Sequence, residues 1–216
     1  MIRPRGTRSW LVLFWLACTV VYPAAVQQSR LLECTSVFGK DVSAASLSER
    51  FGAANVRSAE IYLGEGFYES GTVLFANSVE DRVEILWKDI QEQRMPKIVR
   101  ISGARSHWRT TTGLTLGVDL LTIEKLNRRP FRLFGFAWDY SGTVMSWSGG
   151  SIGSPPAMPC TIRARLRPEG VQDAERQISY GQVLGDREFS SGHPAMQALN
   201  PSVYEVWLDY ARQEAR

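Results

Sequence analysis

The 216 residues are enough for one substantial core, and 44% apolar, 22% charged and 11% aromatic residues describe a globular chain, which excludes wholesale disorder, a collagen-like repeat and a coiled coil. The 25 Lys+Arg exceed the 22 Asp+Glu by the three arginines Arg3, Arg5 and Arg8 alone. Beyond them the chain is neutral, so it lacks the electrostatic footprint of a nucleic-acid or anionic-membrane binder.

Those three arginines open a leader. An apolar run over 10–21 follows them, and Pro23-Ala24-Ala25 then supplies small residues. This is the plan of a secretory signal peptide over 1–25, with a run too short to span a bilayer comfortably. Cleavage near Ala25 is expected. An uncleaved anchor and a lipid on Cys18 remain open, because Tyr22 or Pro23 stands where a small residue is preferred and Leu16-Ala17-Cys18 hints at a lipoprotein box. With the leader removed, two of the three cysteines remain, Cys34 and Cys160, and in an oxidising compartment they are expected to form one disulfide. A periplasmic or secreted protein with no stable transmembrane span follows.

In chain order, 31–40 reads as an extended lead-in carrying Cys34, and 43–51 as a short helix with Ser43 as N-cap and Gly52 as its stop. Strands are expected over 59–63, 72–75 and 82–87, the last with Val83, Ile85 and Trp87 facing inward, and another over 97–102. Gly64-Glu65-Gly66 breaks the first of these from the second. A second helix over 120–126 has Asp119 as N-cap, Asn127 as left-handed C-cap and Pro130 as stop. The most aromatic stretch, 131–147, reads as a β-hairpin with Asp139 and Gly142 at the first and fourth places of a type I turn. A Gly/Ser/Pro loop over 148–159 and a strand over 161–167 come next. Strands over 177–184 and 203–210, with a short helix at 194–199 between them, finish the chain; Tyr204, Val206, Leu208 and Tyr210 share a face of the last.

Ser70-Gly71-Thr72-Val73 recurs as Ser141-Gly142-Thr143-Val144, and each copy follows a helix that begins shortly after Gly-x-Asp. The halves 31–102 and 113–168 therefore read as a degenerate tandem duplication of a helix-plus-strands unit, completed by strands within 176–210. The expected fold is α+β, predominantly antiparallel sheet with two short helices.

The pattern Phe51-Gly52-x-x-Asn55-Val56, Gly64-Glu65-Gly66, Gly71-Thr72-Val73-Leu74-Phe75, Pro130-Phe131 and Gly135-Phe136-x-Trp138-Asp139-Tyr140 resembles uncharacterised exported proteins of Gram-negative bacteria. A looser likeness links Gly117, Glu124, Leu126 and Pro130 to the helix-plus-sheet units of beta-lactamase inhibitor proteins and small outer-membrane assembly lipoproteins. It implies architecture and no activity.

Chemistry-bearing motifs are sparse. Gly149-Gly150-Ser151-Ile152-Gly153 has the spacing of a hydrolase nucleophile elbow, but Ser154-Pro155-Pro156 forbids the helix that must follow, so a flexible loop is expected. His107 and His193 are the two histidines, and neither has metal-ligand spacing to a partner. No metal or cofactor is expected. Arg163, Arg165 and Arg167 line one face of a strand and are expected to be answered by acidic residues such as Glu84. Glu65, Tyr68, Asp139 and Tyr140 converge if the two hairpins correspond. The resulting expectation is a binding protein for an envelope protein or a glycan, using Phe136, Trp138, Asp139, Tyr140 and Trp147. The alternative is a secreted hydrolase using Glu65 or Asp139.

Overall fold

The computed structural model describes residues 30–153 and 157–210. The leader, Cys18 and Ser154-Pro155-Pro156 lie outside the described residues. Among the described residues, nine strands in antiparallel sheets and four short α-helices make the protein α+β and mostly sheet.

Helix α1 (Ala44–Phe51) starts where Ser43 accepts from Ser46 N and Ser46 Oγ reciprocally accepts from Ser43 N, and it ends at Gly52 with φ +86°. A six-stranded sheet follows the order β1-β2-β3-β4-β9-β7, formed by β1 (Val56–Gly64), β2 (Phe67–Leu74), β3 (Val83–Asp89), β4 (Arg94–Ser102), β7 (Thr161–Arg167) and β9 (Ser202–Asp209). Gly64-Glu65-Gly66 divides the first strand from the second, as expected. With φ of +52° and +83°, Glu65 and Gly66 make the tight loop of a type I′ hairpin, so β1 and β2 are longer than their apolar runs suggest.

Val83, Ile85 and Trp87 face the core as expected, and buried Trp87 Nε1 donates to Thr72 Oγ1 at 2.9 Å. Helix α2 (Leu120–Asn127) is capped by Asp119, which accepts from Thr122 N. Behind it β5 (Arg132–Phe134) pairs with β6 (Val144–Ser146) and with β8 (Glu188–Ser190) in a separate three-stranded sheet. The inner face of the large sheet, the lead-in carrying Leu32 and Phe38, Leu47, Trp108, Ile123 and the small sheet share one core. Cys34 and Cys160 are joined across it, 126 residues apart in sequence, with Cα atoms 5.8 Å apart.

Several expectations are corrected. The segment 177–184 is mostly helical: α3 (Ala174–Gln182) is capped by Asp173 accepting from Arg176 N, and with the expected helix α4 (Pro194–Leu199) it joins α1 and α2 among the described residues. The left-handed residue after α2 is Arg128, φ +61°, whereas Asn127 remains helical and buried. Asn127 Nδ2 donates to Trp147 O at 3.0 Å and its Oδ1 accepts from Ile152 N at 3.2 Å, so the first part of the 148–159 loop is tied down. In β9 a register shift puts Val203, not Tyr204, on the buried face with Val206, Leu208 and Tyr210. The paired Ser-Gly-Thr-Val segments differ in backbone: Gly71 lies inside β2, whereas Gly142 is a left-handed turn residue with φ +67°.

Candidate functional site

The outer face of the large sheet is where charged and exposed aromatic residues meet. The outer half of the β1–β2 ribbon bends over it, because pairing of β2 with β3 stops at Gly71 and Leu86. Gly71 permits this, since a Cβ there would stand 2.5 Å from both Ile61 Cδ1 and Ile85 O. Ile61 packs with Val73 and Leu86 in a small second core. Arg100 on β4 then donates to Tyr62 O at 2.8 Å, and Lys97 pairs with Glu69 at 2.9 Å, clasping the ribbon from beneath.

A charge ladder runs under the ribbon from strand to strand. Glu84 pairs with Arg100 at 2.7 Å, Arg100 reaches Glu205 at 3.6 Å, and Glu205 meets Arg165 at 3.7 Å. Arg165 Nε also donates to Thr143 Oγ1 at 3.0 Å, which joins the ladder to the second hairpin. The arginine face of β7 is thus answered by its neighbour Glu205, and the expected partner Glu84 serves Arg82 and Arg100 instead. Arg163 donates to Met145 O at 3.1 Å, and Arg167 lies over the Tyr204 ring at 5.3 Å.

The loop 135–143 joining β5 to β6 is a pair of overlapping turns, with Ser141 N donating to Trp138 O and Thr143 N to Tyr140 O. No Asp139-to-Gly142 turn bond closes it. Gly142 is required for another reason: a Cβ would lie 1.9 Å from Leu166 O, where β7 passes the turn. Phe134, Trp138 and Tyr140 form a ring cluster, Phe134–Trp138 at 4.9 Å and Trp138–Tyr140 at 5.3 Å.

The two hairpin tips meet around a pocket of about 450 Å³. Leu63, Gly64, Glu65 and Phe67 line it from the ribbon, Asp139 and Tyr140 from the turn, and Arg165 from the sheet. Leu63, Phe67 and Tyr140 are 44%, 66% and 58% exposed, and beside them Tyr62 and Tyr68 form an exposed ring pair at 5.2 Å. The anticipated convergence of Glu65, Asp139 and Tyr140 is therefore present; Tyr68 lies on the neighbouring rim. Of the other expected contact residues, Trp138 is half-buried with its Nε1 donating to Gly135 O, while Phe136 and Trp147 are 1% and 6% exposed and belong to the core. Sequence reasoning missed Tyr62, Leu63 and Phe67, although aromatic residues flanking Gly64-Glu65-Gly66 were the available signal.

The remaining motifs do not build a reactive centre. Ser151 sits in a turn, Gly153 N donates to Gly150 O, and no helix follows among the described residues. His193 caps α4 by accepting from Ala195 N at 3.2 Å. His107 lies 3.1 Å from both Glu80 and Asp81. Partial burial of Asp81 opposes ionisation, but hydrogen bonds from Ser78 and His107 and the Arg30 charge outweigh it and hold the carboxyl below its usual range. No group of three or more metal-ligating side chains occurs among the described residues. No helix among them is long and apolar enough to cross a membrane. No known protein family, curated protein or solved structure matches the chain.

Proposed function

We propose that this is an exported, non-enzymatic binding protein that grips a segment of an envelope protein or a glycan in the cleft between the β1–β2 ribbon and the 135–143 turn. One observation carries the reading: exposed Leu63, Phe67 and Tyr140 line one pocket together, and Tyr62 and Tyr68 add an exposed ring pair on the same ribbon. Contiguous exposed aromatic residues of this kind supply contact area with little side-chain entropy to lose, the property of interface hot spots and of sugar platforms. The Cys34–Cys160 bond supports an oxidising compartment.

The hydrolase alternative has one observation in its favour, that Glu65 and Asp139 line the same pocket. Against it, both are exposed, whereas a carboxylic acid that must donate a proton near neutral pH is normally buried to keep that proton. Replacing Phe67 and Tyr140 together by Ala tests the reading. Partner retention is expected to fall at least about tenfold with the fold unchanged by circular dichroism. Unchanged retention, or chemical conversion of the captured partner that stops in Glu65→Gln or Asp139→Asn, refutes it.

A further inference from the structure

The 135–143 turn separates two pockets of opposite charge. On one side is the cleft, where Glu65 and Asp139 face Arg165, a cation already engaged by Glu205. On the other is a pocket of about 580 Å³ between the turn, β7 and α3. Arg167 is the charged residue lining it among those described, beside Ser141, Gln177 and Tyr180, with Phe136 stacked on Tyr180 at 5.9 Å as an apolar wall. Arg165 and Arg167, one lining each pocket, alternate along β7, so they leave the same face of the strand with their backbones roughly 7 Å apart at ~3.3 Å per residue.

From this arrangement we infer that one ligand spans the turn and occupies both pockets: an extended peptide segment bearing a cation and a carboxylate two residues apart. This rests on the cleft being a binding site. The chemistry at each end is specific. Two carboxylates with one already neutralised arginine leave the cleft net negative and suited to an ammonium group. An arginine in a pocket with no lining carboxylate suits a carboxylate, which it holds with paired N–H donors. An extended peptide advances about 3.3–3.6 Å per residue and turns residues i and i+2 to the same side, so a separation of two residues, roughly 7 Å, matches the spacing of Arg165 and Arg167. The rings of Tyr140 and Tyr180 flank the path of the residue between.

The test uses the disulfide-bonded protein and four end-blocked peptides, Lys-Ala-Glu, Lys-Ala-Gln, Gln-Ala-Glu and Gln-Ala-Gln, with binding followed by calorimetry and tryptophan emission. Lys-Ala-Glu is expected to bind tightest, each neutralised end costing about tenfold, and the advantage to shrink with salt. Arg167→Ala removes the preference for Glu over Gln and keeps that for Lys; Glu65→Gln with Asp139→Asn does the reverse; Arg167→Lys retains part of the Glu preference. Equal binding of all four peptides, or a variant that lowers every peptide alike, overturns the inference. So does binding of a neutral chitotetraose probe without any peptide. If no peptide binds while Tyr140-dependent partner capture persists, the peptide assignment falls and the cleft stands; if capture does not depend on Phe67 and Tyr140, both fall.

Discussion

Gly142 is the residue on which the geometry of the cleft turns. Two effects act there, a left-handed backbone at φ +67° and a steric one, the 1.9 Å approach of an added Cβ to Leu166 O. The first alone costs a non-glycine residue about 1 kcal/mol; the second forces apart the backbone bond from Leu166 N to Gly142 O and dominates. Gly142→Ala is therefore expected to destabilise the fold by more than about 3 kcal/mol in urea titration. Gly66→Ala, at φ +83° with no atom within 4 Å, should cost only the backbone share of about 1 kcal/mol. Similar losses for both would contradict this. Gly142 was legible in sequence as a turn residue, but the strand that crosses it was not, because β7 comes twenty residues later and pairs with the turn through tertiary structure alone. Phe136 and Trp147 show the same limit. Their hydrophobicity was plain, and only the closure of the small sheet decides that they face inward.

At the scale of elements, the ribbon's outer half is held by few bonds. Arg100 supplies the central one, and its removal also takes one of two arginine partners from Glu84 and from Glu205, leaving them Arg82 and Arg165. Arg100→Ala should speed hydrogen exchange across residues 61–70 by at least about tenfold while leaving 83–87 protected. Uniform acceleration would show that the ribbon and sheet open as one unit. Helices and strands whose apolar period faced a core were readable: α1, α2, β3 and β7 lie where expected. Helix α3 was not, because none of its residues is buried and Ile178 is 66% exposed, so no core-facing stripe marks it and its alternating Ile178 and Tyr180 read as strand. Its signal was local, Asp173 at the N-cap followed by Glu175 in the first turn. The exposed ribbon tip was hidden for the same reason: its aromatic residues are ordinary strand formers unless β2 is known to outrun its pairing with β3.

Across the whole molecule, the lead-in, the start of β7 and the end of β9 are fastened together. Cys34 bonds Cys160, and Tyr210 at the end of β9 donates its hydroxyl to Phe38 O in the lead-in, with burial pushing that phenol up. Closing a loop across 126 residues removes unfolded-state entropy worth about 5 kcal/mol in the chain-entropy picture, comparable to the whole stability of many domains. Reduction is expected to lower the urea midpoint sharply, and an unchanged midpoint would mean that the core alone holds these ends. The pairing was readable from cysteine count, but the site it supports required the fold, since Glu65 and Asp139 meet only when the ribbon bends across the sheet. The most direct measurement of the proposed binding cleft is site-specific photocrosslinking, with benzoylphenylalanine at Phe67, at Tyr140 and, as a control, at Val79, which is 79% exposed. The same discrete adduct from positions 67 and 140 and none from 79 is the predicted result; no adduct from the two cleft positions, or equal yield from all three, contradicts it.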